Sequence, residues 1–135
     1  MIYIVQNLWP IALATLAGLA VGALHHRLTG RLTSAPVAGR PELIAITALC
    51  EFWLACILAG ALILAPPEAP EWVMAMATPV VIWIGFVAPA IVVTHAYRRV
   101  PLRTAGWDAA HWLVVMSVQA LVMTLVGLTP PPGVA

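Results

Sequence analysis

Lysine is absent from this 135-residue chain, aspartate occurs once, and charged residues together make up only 8%. Soluble domains carry about 25% charge, facing water, so a chain this poor in charge has little aqueous surface to cover. Hydrophobic residues reach 63% and the mean hydropathy is +1.02. A globule of this size leaves much of its surface in solvent and does not hide so much apolar area. Lipid is the solvent that fits. The net charge of +1 excludes the clustered basic footprint of a nucleic-acid binder. Cysteine is scarce as well: Cys50 and Cys56 share one apolar run. On a helix they stand about 240° and 9 Å apart, too far for a disulfide, which leaves two small buried apolar residues.

What is present is long apolar runs. A membrane-spanning helix needs about 20 mostly apolar residues, and the chain offers four such runs, 3–24, 43–65, 72–97 and 107–128. Polar or proline-rich stretches separate them, as helix ends require. The expected architecture is an all-α membrane protein: one domain over 1–135, with four transmembrane helices in a compact bundle. The first run is expected to be a membrane helix and not a secretory signal. Its positive charge, Arg27 after His25-His26, follows the apolar core, whereas a signal places it before.

All six basic residues are Arg: Arg27, Arg31 and Arg40 between the first two helices, and Arg98, Arg99 and Arg103 between the last two. The remaining loop carries Glu68 and Glu71 and no Arg. Short Arg-rich loops stay on the cytoplasmic side, so both termini are expected on the outer, periplasmic side of a bacterial inner membrane. Tyr3, Trp9 and Trp72 near the outer helix ends, and Tyr97 and Trp107 near the inner ones, suit the headgroup level, where an apolar ring with a polar tip is stable.

Ala14, Gly18 and Gly22 recur every four residues on the first helix, a small-residue stripe that lets backbones approach. Ala48, Ala55, Cys56, Ala59 and Gly60 offer a similar face on the second. Pro79, Gly85 and Pro89 on the third predict a kink or local unwinding.

Ionisable groups inside lipid cost about 2.5–3.5 kcal/mol or more each on insertion scales and usually face the protein interior. Glu51 lies eight residues past Leu43 among small neighbours, roughly 12 Å deep. Asp108 and Gln119 point the same way within about 20° on a helix, with His111 one turn from Asp108. Helix polarity then brings Glu51, His95, Asp108 and His111 into one half of the membrane, with Glu51 expected beside His111. Two explanations compete. In one, Glu51 pairs with His111 or a Trp N–H and Asp108 caps the fourth helix. In the other, these groups form a proton path or a metal site, although no HExxH or Glu-xx-His pair lies on one helix. His25-His26 reads as an interfacial helix end.

Trp83-Ile84-Gly85-Phe86-Val87-Ala88-Pro89, the short basic loop, and Ala110-His111-Trp112-Leu113-Val114 resemble the bacterial membrane proteins grouped as domain of unknown function 1761. Ala48-Leu49-Cys50-Glu51-Phe52 and the small-residue first helix fit the same outline, although that family tends to carry aromatics where this chain has His25-His26-Arg27. The resemblance implies four helices and an inner membrane and supplies no activity or cofactor. With so little chain outside the bilayer, the leading expectation is a non-enzymatic packing protein or accessory subunit. Its partners are lipid and other membrane helices, through self-association or a larger complex. The alternatives are a small transporter or proton-conducting protein using Glu51, and a metal- or quinone-dependent membrane enzyme.

Overall fold

The structure, a computed structural model, describes residues 2–29, 41–66 and 68–132. Arg31 and Arg40, on which part of the orientation argument rests, lie outside the described residues. The described chain is helical: α1 (Ile2–Gln6), α2 (Leu8–Thr29), α3 (Pro41–Ile63), α4 (Glu71–Ile82), a π-helical turn (Trp83–Val87), α5 (Ala88–Tyr97) and α6 (Leu102–Val126). Four spans, Leu8–Leu28, Pro41–Ile63, Glu71–Tyr97 and Leu102–Val126, are long and apolar enough to cross a membrane. By length and composition this is a multi-pass membrane protein.

Several helix ends differ from the apolar runs, because hydrogen bonding and not hydropathy ends a helix. The first span continues past Leu24 to Thr29 and carries His25, His26 and Arg27 as helical residues. Near its other end Asn7 interrupts it. Pro10 lacks the N–H that Gln6 would accept, and its ring crowds that carbonyl. The last span starts at Leu102, directly after Pro101, and not at Trp107. It ends at Gly127, whose φ of 89° suits a residue without Cβ. The third span is locally unwound, as Pro79, Gly85 and Pro89 predicted. Pro89 cannot donate to the Gly85 carbonyl, and the helix widens so that the Ala88 N–H reaches the Trp83 carbonyl, a π-type bond.

Helix α6 packs against α2, α3, α4, the π-turn and α5. It is therefore the central element. The core consists of Ile11 and Ala14 of α2, Ala55, Cys56, Leu58 and Ala59 of α3, and Met116 and Met123 of α6. Cys56 is buried as expected, whereas Cys50 is exposed, since six residues along a helix turn it to the outer face. Outside, Trp9, Leu49, Val81, Phe86 and Leu125 are exposed, an apolar exterior suited to lipid.

Candidate functional site

The antiparallel register of α2 against α6 positions the site, and three cross-contacts mark it. At one end the Asn7 amide clasps the backbone of Thr129, donating to its carbonyl (2.9 Å) and accepting from its N–H (2.7 Å). Midway, a Cβ built on Gly18 would come within 2.8 Å of Gln119 Nε2. At the other end the rings of His25 and His111 stack with centroids 4.2 Å apart. Residues 7, 18 and 25 thus stand opposite 129, 119 and 111, in steady antiparallel step. Asn7 escaped the sequence reading because a lone Asn near a chain end gives no pattern; its proximity to Pro10 was the available signal.

Glu51 enters this seam from α3. It is 1% exposed and Gln119 is fully buried. The Gln119 amide donates to the Glu51 main-chain carbonyl at 3.3 Å. The Glu51 carboxyl lies against bare α2 backbone: a Cβ on Gly18 would overlap its Oε2, and one on Gly22 would sit 3.7 Å from Oε1. Among the described residues, Glu51 Oε2 and Gln119 Oε1 have no hydrogen-bond partner. Buried polar atoms are nearly always paired, and two unpaired acceptors on neighbouring side chains are exceptional.

Glu51 therefore neighbours Gln119 and the α2 glycines, while His111 stacks on His25, unlike the expected Glu51–His111 pair. The reason is helix register. Gln119 comes 17 residues after the start of α6, whereas Glu51 comes 10 after the start of α3. Helix α6 thus projects past α3 by roughly 10 Å at this end, carrying His111 away from the Glu51 level.

The remaining candidates gather at that projecting end. Asp108 is not a helix cap, because α6 begins at Leu102 behind Pro101. Its Oδ2 instead meets His95 Nε2 at 2.8 Å, with side chains 43% and 19% exposed. His95 Nδ1 faces the Ile91 carbonyl at 2.9 Å, an oxygen that can only accept, so Nδ1 carries a hydrogen. The end of α5 is itself fixed, as Arg99 N–H reaches Ala96 O (3.1 Å) and Val100 N–H reaches His95 O (2.9 Å). This is a Schellman closure with Arg99 at φ 56°, where glycine is the usual residue. Trp83 braces the same region by donating to the Ala109 carbonyl at 2.6 Å; it does not meet Glu51.

The small residues divide too. Ala14, Gly18 and Gly22 are buried, facing inward, whereas Gly85 and Pro89 are exposed, with nothing within 4 Å of a Cβ built on Gly85. Among the described residues no three His, Cys, Asp or Glu side chains come together to hold a metal ion.

A family model described as "Protein of unknown function (DUF1761)" matches residues 9–124. No curated protein and no solved structure matches the chain.

Proposed function

The chain belongs to the DUF1761 family, and from that premise we propose that it is a small bacterial inner-membrane protein that carries protons, or a solute coupled to them, through Glu51. One observation supports this: a carboxyl oxygen buried at the meeting of three helices, with no partner among the described residues. A protein that only packs gains nothing from it, since apolar side chains of similar volume serve a core as well or better than buried charged groups. An ionisable group in such a position is first of all a functional one. The carboxyl also needs a proton or a cation to balance it, and the only ion pair among the described residues, His95–Asp108, lies elsewhere.

Arg27, Arg98, Arg99 and Arg103 sit at the end of the bundle marked by the His25–His111 stack. The positive-inside rule makes that end cytoplasmic, with both termini outside. Helix α2 turns its Gly18–Gly22 stripe toward Glu51, so that stripe serves the site and is not free for self-association.

The test is purified protein in liposomes enclosing a pH-sensitive dye, under an imposed potential. Wild-type protein is expected to pass protons and Glu51→Gln to pass none while eluting identically in detergent. A wild-type protein that leaves the dye unchanged rules the reading out. A second reading, an accessory subunit of a larger membrane complex, is favoured by the exposed Gly85 and Pro89 face of the third span. A stoichiometric partner co-purifying in mild detergent, lost on Gly85→Leu, would support it.

A further inference from the structure

The seam between α2 and α6 holds more than Glu51. Gly18, Gly22 and His25 fall on one stripe of α2, and Asp108, His111, Val115 and Gln119 on one stripe of α6, each pair three or four residues apart as helix neighbours are. The contacts at Gly18–Gln119 and His25–His111 show these stripes facing each other. Read from the projecting end inward, the seam presents the His95–Asp108 pair, then the His111–His25 stack, then the Glu51 carboxyl beside Gly22. Val115 is fully buried and closes the α6 side. On the α2 side Gly22 leaves backbone only, and His25 lies about 4.5 Å further along that helix.

We propose that this file is the proton entrance of the protein, a path from the arginine-bearing end to Glu51. The inference rests on the reading of Glu51 as a proton carrier and adds the route. A proton from water arrives at the part-exposed Asp108–His95 pair, whose Oδ2 and Nε2 lie 2.8 Å apart. That proton passes to a ring nitrogen of His111. The stacked pair His111–His25 holds one added proton, because two imidazolium rings 4.2 Å apart repel. It then passes to the carboxylate of Glu51, which becomes a neutral acid, and the ring returns to its starting state. His26, whose ring lies edge-on to His25 with centroids 6.0 Å apart, is the other titratable group beside the stack, and Arg27, Arg98, Arg99 and Arg103 belong to the same end of the bundle.

The experiment uses the full chain in liposomes. His111→Phe and His25→Phe keep a flat ring in the stack without a proton-bearing nitrogen, and Asp108→Asn removes the part-exposed entrance. Each is expected to lower proton flux about a hundredfold or more, the scale of a lost positioned acid–base group, with elution in detergent unchanged. His111→Ala and His25→Ala open a gap in the stack, and added imidazole is expected to restore their flux above that of protein-free liposomes. Wild-type flux in any one of the three folded variants overturns the path and leaves the Glu51 reading standing. Absence of flux in the wild type overturns both. Loss of flux that imidazole leaves unrestored in both Ala variants marks the stack as a packing contact and overturns its place in the path.

Discussion

Gly18 and Glu51 occupy each other's space: the hydrogen on Gly18 leaves room for the Glu51 carboxyl, and a methyl group there would overlap Oε2. A small-residue stripe on a membrane helix normally signals backbone packing against backbone. Here part of it makes room for an acid. Gly18→Ala is therefore expected to displace the carboxyl and destabilise the protein by about 1–3 kcal/mol, as overpacking does. Gly22→Ala, whose Cβ would lie at 3.7 Å from Oε1, is expected to be near neutral. Thermal unfolding in detergent, followed by circular dichroism, compares the two. Equal losses would disprove the close fit at Gly18.

Stability and transport should separate at position 51. Gln119 donates to the main-chain oxygen of residue 51, which every substitution retains, and the carboxyl Oε2 has no partner to strand. Glu51→Leu is thus expected to stay within about 1 kcal/mol of wild type or to exceed it, while proton flux vanishes as in Glu51→Gln. A Leu variant that fails to fold would mean that the carboxyl supports the bundle after all.

The chain ends are clasped by one side chain. Asn7 bonds both the N–H and the carbonyl of Thr129 and also donates to the Tyr3 carbonyl at 2.8 Å. Asn7→Ala leaves the N–H and carbonyl of Thr129 unpaired at a cost of about 1–3 kcal/mol, while the Tyr3 carbonyl keeps the backbone N–H of residue 7. Hydrogen exchange at residues 127–129 and over α1 should rise together. Unchanged protection there would show that the clasp contributes nothing.

Orientation is open to chemical labelling. With Cys50 and Cys56 replaced by Ser, a cysteine at Glu68 is expected to react with a membrane-impermeant thiol reagent added outside the cell. One at Arg103 is expected to react only after the membrane is opened. The reverse pattern would invert the topology. Gly133 and Arg31, natural companion sites, lie outside the described residues.

The four spans were legible because hydropathy is additive along a chain and needs no partner to be read. A break in the third span was legible as well, since Pro89 removes a donor whatever surrounds it, although its π-helical form was not. Helix ends were less so: α6 starts at Leu102 behind Pro101, five residues before the apolar run at Trp107, because hydrogen bonds continue wherever the backbone permits.

The polar site shows the same division. Composition and helical spacing picked out Glu51, His95, Asp108, His111 and Gln119 as residues that lipid tolerates poorly, and they determined which helices would carry them. Which of them meet was decided only by the offset between helices. Because α6 projects beyond α3, Glu51 falls level with Gln119, and His111 falls level with His25, leaving Asp108 to His95. That offset depends on side-chain fit along the whole α2–α6 seam, from Asn7–Thr129 to the histidine stack. No single segment of sequence contains it, because the energy that sets it belongs to pairs of residues distant in the chain.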